Sequence, residues 1–118
     1  MHVEIWHNPA CSNSRNALAL ILAAGIEPTV VEYLKTPPSK ARLAEVITAA
    51  GLSVRDAIRE KETIYAELGL GDTSVSDDLL LDAMVASPVL INRPFVISPL
   101  GTRLSRPPEL VLGILPPQ

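Results

Sequence analysis

The chain has 118 residues and a hydrophobic content of 47%, which is enough to fill one core without disulfides or a structural metal. We therefore expect a single domain over residues 1–118. The formal net charge of −3 argues against a nucleic-acid binder or a membrane-surface protein, because those partners favour a basic face. Any anion-binding site must therefore be local.

The chain is expected to be cytoplasmic. It begins without the basic segment and apolar run of a signal peptide, and no apolar stretch approaches the roughly 20 residues that span a bilayer. Its one cysteine, Cys11, can form neither an internal disulfide nor a cysteine-based zinc site. Cys11 is then either a small core residue, the commoner case, or a reactive thiol.

The N-terminal elements are predicted to place Cys11 at the start of a helix. Strand-forming residues 3–6 are followed by a turn-like segment at residues 7–10. From Ser12 the apolar residues recur with helical spacing until Gly25, which is a favourable C-terminal stop.

The middle of the chain is predicted to be mostly helical, after a second strand at residues 29–33. Serine is a preferred N-cap because its hydroxyl accepts a hydrogen bond from a free N–H group of the first turn. The expected helices are one capped by Ser39, a shorter one after Ser53, another short one at residues 63–68, and residues 77–86 after Ser76.

The last third is predicted to return to strands. Residues 89–91 and 95–97 are short apolar runs, a turn at residues 99–102 precedes residues 103–104, and a short helix is expected at residues 107–112. This order predicts an α/β sandwich whose first two strands are parallel across a right-handed helical crossover, with antiparallel strands added by a hairpin.

Cys11 lies where a reactive thiol would be expected, at the junction of a strand and a helix. Backbone N–H groups and the helix dipole converge there, and they stabilise a thiolate and bind an oxyanion. Ser12, Asn13 and Ser14 are small polar residues that can add donors. His7, four residues earlier, can tune the thiol, although a histidine at a strand end is more often a simple hydrogen-bonding residue.

Arginines gather late in the chain. Residues 1–86 hold seven Lys or Arg against twelve Asp or Glu, whereas residues 87–118 hold three arginines against one glutamate. Planar guanidinium groups suit tetrahedral oxyanions, so Arg93, Arg103 and Arg106 are candidates for an anion site. The plainer alternative is that they serve only surface solubility.

Four segments together resemble the arsenate reductase family that uses glutathione and glutaredoxin. They are His7-Asn8-Pro9-Ala10-Cys11, Ser14-Arg15-Asn16, Leu90-Ile91-Asn92-Arg93-Pro94 and Pro99-Leu100-Gly101-Thr102-Arg103-Leu104. The resemblance runs nearly end to end. It implies a thioredoxin/glutaredoxin-like α/β fold, with a mixed four-stranded sheet and a helical insertion between the second and third strands.

The resemblance also implies the reaction and its residues. Cys11 would attack arsenate, glutathione would attack the resulting adduct, and glutaredoxin would resolve the mixed disulfide as arsenite leaves. No metal and no tightly bound cofactor would be needed, with glutathione as co-substrate. The implied residues are Cys11, the thiolate-stabilising His7 and Ser14, the oxyanion-binding Arg59, Arg93 and Arg106, and Pro94 beside the site, after a bond that the resemblance suggests is cis.

Two departures and two alternatives remain. Ser105 stands where some family members carry a second cysteine, and the chain ends soon after Pro117. A glutathione-dependent thiol reductase and a redox-sensing regulatory protein of the same fold are the alternatives, although the regulatory members carry two cysteines where this chain has Cys11 and Ser14. Phosphate and sulfate are expected to bind weakly, and a monomer is the default.

Overall fold

A computed structural model describes residues 2–117 of the protein, and these residues form two compact units. The first unit combines the N-terminal segment up to Thr36 with the C-terminal segment from Arg93. The second unit comprises residues 37–92. The expectation that the whole chain is one domain stays a prediction.

The first unit is built on a four-stranded sheet with the strand order β2-β1-β3-β4. Its strands are β1 at Glu4–Trp6, β2 at Thr29–Val31, β3 at Phe95–Ser98 and β4 at Gly101–Leu104. β1 and β2 are parallel, whereas β1–β3 and β3–β4 are antiparallel. The predicted mixed sheet, with the insertion between its second and third strands, is therefore confirmed.

A 12-residue helix, α1 at Ser12–Ala23, makes the crossover between the two parallel strands. It ends before Gly25, whose φ of 81° lies in the left-handed region that favours glycine. The buried stripe of α1 packs with sheet residues and with a C-terminal 3-10 helix at Pro108–Ile114. This core contains Val3, Ile5, Ala17, Ile21, Ile26, Val96, Val111 and Ile114.

The second unit is helical, as predicted. It contains α2 at Lys40–Ala49, α3 at Val54–Ala57, α4 at Thr63–Glu67, α5 at Asp77–Ala86 and a 3-10 helix at Pro88–Leu90. Ser39, Ser53 and Ser76 each accept a hydrogen bond from the backbone N–H three residues later, so all three predicted caps are confirmed. Across residues 2–117, no helix is long and apolar enough to cross a membrane.

The predicted strand at residues 89–91 is wrong. Leu90 donates its N–H to the carbonyl of Ser87 and Ile91 donates to that of Pro88, which closes a 3-10 turn. After this turn, Ile91 pairs with Ile58 in an isolated antiparallel bridge, which is too short to be a strand. Proline at the first position favours the turn. Leu90 and Ile91 are buried without joining the sheet, whereas Val89 is exposed.

Candidate active site

Cys11 is the N-cap of α1, as the sequence predicts, and it is partly exposed. The loop that presents it is closed by local hydrogen bonds. Cys11 donates its backbone N–H to the carbonyl of Asn8 at 3.0 Å, and the Asn8 side-chain oxygen accepts from the backbone N–H of Ala10, also at 3.0 Å. Asparagine stabilises tight turns in this way, and the result is a fixed thiol at the positive end of a helix.

The surroundings of the thiol stabilise its charged form. Burial raises the pKa of Cys11, but backbone N–H groups of Ser14 and Asn13 and the charged side chain of Arg93 donate hydrogen bonds to the sulfur and lower it. The donors outweigh burial, so the pKa lies below its usual value. A larger fraction of Cys11 is therefore the nucleophilic thiolate at neutral pH.

His7 and Ser14 form a buried pair behind the thiol. His7 Nδ1 lies 2.7 Å from the Ser14 hydroxyl, which also accepts a hydrogen bond from the backbone N–H of Asn8 at 3.0 Å. The three residues are buried. Ser14 therefore joins the end of β1 to the first turn of α1, and His7 contacts that turn through the Ser14 hydroxyl.

The charge of His7 is set by its surroundings. Burial lowers the pKa of the imidazole, Glu32 raises it and Arg15 lowers it, so that the pKa lies below its ordinary value. His7 is then mainly neutral at pH 7. Its role as a thiolate-stabilising residue stays a prediction, and a neutral imidazole would act by positioning Ser14 more than by its charge.

Arg93 and Arg106 come together at the edge of the site. Arg106 donates from Nη1 to the backbone carbonyl of Arg93 at 2.9 Å, while the Arg93 side chain reaches Cys11. The Arg93–Pro94 peptide bond is cis, as the resemblance suggests. Pro94 is buried, and its carbonyl accepts from the backbone N–H of Ser105.

The structure gives partners of their own to two further arginines. Arg103, the third arginine of the late cluster, donates to the carbonyl of Leu110 at 3.0 Å and packs against the C-terminal 3-10 helix. Arg59 belongs to the second unit, where its Nε lies 3.2 Å from a carboxylate oxygen of Glu62. Its assignment to the oxyanion site stays a prediction that rests on resemblance.

The structure indicates specific roles for two residues, Asn13 and Glu32, that the sequence analysis does not assign. Asn13 was expected only to add a donor, but its side-chain oxygen accepts from both terminal nitrogens of Arg106, at 3.3 Å each, when the amide oxygen faces the guanidinium. Glu32 influences His7 from the residue after β2. The sequence signal was the predicted parallel pairing of the first two strands, because the residues that follow such strands lie at the same edge of the sheet. In the structure Trp6 pairs with Val31, so the next residues, His7 and Glu32, are neighbours.

This arrangement is suited to attack by sulfur on an oxyanion. A stabilised thiolate lies beside the Arg93 side chain, and the backbone carbonyl of Arg93 accepts a hydrogen bond from the guanidinium of Arg106. Positive charge compensates the repulsion between a thiolate and an anionic substrate. Partial exposure of Cys11 leaves the sulfur accessible to a second thiol.

The geometry agrees with comparisons against known proteins. The chain is 70% identical over 116 residues to the arsenate reductase of Rhizobium meliloti (strain 1021), a match that covers 98% of this chain and 83% of that one. It is 50% identical over 115 residues to the arsenate reductase of Escherichia coli (strain K12), with 98% and 82% covered.

A solved structure gives the same result. The arsenate reductase from Vibrio cholerae superposes with a TM-score of 0.94 at 49% identity, covering 98% of each chain, and this agrees with the predicted thioredoxin-like fold. The model of the ArsC family matches residues 6–114, a range that includes Cys11 and the late arginines. On these grounds the chain is a member of the ArsC family.

Proposed function

We propose that this protein reduces arsenate to arsenite in the cytosol, with Cys11 as nucleophile and with glutathione and glutaredoxin as reductants. The observation that carries the proposal is the Cys11 sulfur, which accepts hydrogen bonds from two backbone N–H groups at the start of α1 and from Arg93. The high identity to proteins named arsenate reductase supports the substrate.

The first step joins sulfur to arsenic. The Cys11 thiolate attacks the arsenic atom, an S–As bond forms, and one arsenate oxygen takes up protons and leaves as water. Arsenic stays in its pentavalent state. Arg93 and Arg106 act here by compensating the negative charge of the oxyanion as the thiolate approaches it.

The second step carries the reduction. A glutathione thiolate attacks the Cys11 sulfur, an S–S bond forms, and the electron pair of the S–As bond remains on arsenic. Arsenite is released, and Cys11 is left in a mixed disulfide with glutathione. A glutaredoxin thiolate then attacks the glutathione sulfur and restores the Cys11 thiolate. A single cysteine in the chain is sufficient for this sequence of steps.

The proposal assigns the remaining residues by what they contact. His7 and Ser14 position the first turn of α1, whose backbone N–H groups hold the thiolate. Phosphate and sulfate share the tetrahedral shape and charge of arsenate, so we expect them to bind weakly at the same arginines. Neither forms a product that glutathione reduces.

The test is arsenate-dependent oxidation of NADPH by the purified protein, coupled to glutathione, glutaredoxin and glutathione reductase. We expect turnover with the native protein and none with Cys11→Ser. Ser12→Ala, an exposed change beside the cysteine, should retain turnover. Turnover by Cys11→Ser would contradict the mechanism.

A thiol reductase is the second candidate, because a partly exposed thiolate of low pKa also suits thiol–disulfide exchange. The same assay distinguishes the two candidates when arsenate is replaced by a small mixed disulfide of glutathione and glutaredoxin, which reduces such disulfides itself, is left out. Turnover with the disulfide and none with arsenate would favour the thiol reductase. Turnover with neither, while glutaredoxin is active, would favour a redox-sensing regulatory protein.

A further inference from the structure

Asn13 connects the nucleophile to one of the arginines. Its backbone N–H donates to the Cys11 sulfur. Its side-chain oxygen accepts from both terminal nitrogens of Arg106, at 3.3 Å each, with the amide oxygen turned toward the guanidinium. One residue in the first turn of α1 thus contacts both Cys11 and Arg106.

Arg106 depends on such contacts for its position. The residue is exposed, and a long exposed arginine side chain samples many rotamers unless hydrogen bonds restrict it. The carbonyl of Arg93 accepts from Nη1 alone, at 2.9 Å, which leaves the guanidinium free to rotate about that contact. The Asn13 oxygen, shared between Nη1 and Nη2, provides a second point that fixes the plane of the guanidinium.

We propose that Asn13 is a positioning residue, which holds the Arg106 guanidinium at the oxyanion site beside Cys11 and thereby sets the affinity of the protein for its anionic substrate. The inference rests on the proposed function, because it takes the site to bind a tetrahedral oxyanion. It concerns the side chain of Asn13, since the backbone N–H that serves the thiolate is retained in any substitution except proline.

Two substitutions separate the effect of the amide from that of charge. Asn13→Ala removes the acceptor, so Arg106 loses its second point of contact and anion binding should weaken. Asn13→Asp retains an acceptor for Arg106 but adds a negative charge next to the thiolate and the oxyanion. We expect Asn13→Asp to weaken anion binding at least as much as Asn13→Ala, and to raise the pKa of Cys11, which Asn13→Ala should not do.

The experiment measures anion binding without turnover. Iodoacetamide alkylates Cys11, and arsenate or sulfate bound beside the thiol should protect it, so the rate as a function of anion concentration gives an apparent Kd. We expect Asn13→Ala to raise this Kd about threefold to tenfold, the range that corresponds to the net contribution of an ordinary hydrogen bond, because Asn13 acts on the anion only through Arg106. Asn16 is an exposed asparagine of the same helix, so Asn16→Ala is the matched control and should leave the Kd unchanged.

A double-mutant cycle identifies the route of the effect. If Asn13 acts through Arg106, Asn13→Ala should have no further effect on the Kd once Arg106 is replaced by alanine. Equal effects in both backgrounds would overturn the proposal. An unchanged Kd in Asn13→Ala, or a loss of affinity explained by a raised thiol pKa in the alkylation profile, would overturn it as well.

Failure of the proposed function gives a different result. If the native protein shows anion protection and the expected cycle but no arsenate turnover, the positioning role stands and the reductase assignment fails. If turnover occurs and Asn13→Ala has the Kd of the native protein, the reductase assignment stands and the positioning role fails. In the reductase assay, a positioning role should appear mainly as a raised KM for arsenate with a smaller change in kcat.

Discussion

His7 Nδ1 lies 2.7 Å from the Ser14 hydroxyl, and both side chains are buried behind Cys11. The hydroxyl also accepts from the backbone N–H of Asn8 at 3.0 Å. This pair therefore links the end of β1 to the first turn of α1. The thiolate is served by the backbone of that turn, so the pair acts on the nucleophile by holding the turn in place.

Removing the Ser14 hydroxyl should therefore change the free energy of unfolding more than the pKa of the Cys11 thiol. In Ser14→Ala the backbone N–H that serves Cys11 remains, while the buried N–H of Asn8 and the imidazole of His7 lose a partner. We expect a loss of about 1–3 kcal/mol in the free energy of unfolding. Urea unfolding measures it, with the exposed Ser12→Ala as control. A stable Ser14→Ala protein with a strongly raised thiol pKa would contradict this role.

Arg93 should control the acidity of the thiol. Its side chain donates a hydrogen bond to Cys11 and adds a positive charge, and both lower the pKa. We expect Arg93→Gln to shift the pH profile of iodoacetamide alkylation to higher pH. Arg103→Gln is the matched control, because Arg103 contacts the C-terminal 3-10 helix. Equal profiles for the native protein and Arg93→Gln would show that Arg93 does not stabilise the thiolate.

The same lowered pKa makes folding stability depend on pH. In the interval between the lowered folded value and the ordinary thiol value of about 8.5, the unfolded chain binds the thiol proton and the folded protein does not. The contribution of the thiolate is thus complete above the ordinary value and is lost as the pH falls through the folded value. Cys11→Ser should remove this component from unfolding curves measured between pH 5 and about pH 9.

Protonation of His7 should destabilise the folded protein in acid. Its folded pKa is lowered, so the unfolded chain binds the imidazole proton first, and stability falls as the pH drops below about 6.5. Glu32 raises the pKa of His7, and Glu32→Gln should therefore lower it further and enlarge the loss. Titration of the imidazole by NMR measures the shift. The exposed Glu27→Gln is the control, and an unchanged His7 titration in Glu32→Gln would exclude the coupling.

The sequence predicted what local chemistry determines. Ser76 caps a helix that covers Asp77–Ala86, as predicted, because an N-cap hydroxyl and first-turn carboxylates act within one turn. The strand prediction for residues 89–91 was wrong, because an apolar run has the same pattern in a strand and in a partly buried 3-10 turn that begins at Pro88. Asn13 and Arg106 are far apart in the chain, so no local sequence pattern predicts their contact. The position of Cys11 at the N-terminus of α1 was predictable, because a strand, a turn and a helix start are all set by local sequence.

Arg59 can be tested against an arginine in a similar local setting. Arg59 pairs with Glu62, and Arg42 pairs with Glu45, each three residues further along the second unit. If the resemblance assigns Arg59 correctly, Arg59→Ala should raise the apparent Kd for arsenate about tenfold, whereas Arg42→Ala should not. The alkylation-protection assay measures both variants. Equal Kd values would remove Arg59 from the oxyanion site.

Substitution by alanine should have opposite effects on stability at Ser105 and at Ser98. The Ser105 hydroxyl is fully buried and has no hydrogen-bond partner within residues 2–117, so the folded state carries its desolvation without compensation. Ser98 donates to the carbonyl of Ile114 and accepts from the backbone N–H of Leu100. We expect Ser105→Ala to leave the free energy of unfolding unchanged or to raise it by up to about 1 kcal/mol, and Ser98→Ala to lower it by about 1 kcal/mol. Urea unfolding of the two variants measures the contrast, and a destabilised Ser105→Ala would mean that the hydroxyl has a partner, such as a buried water molecule.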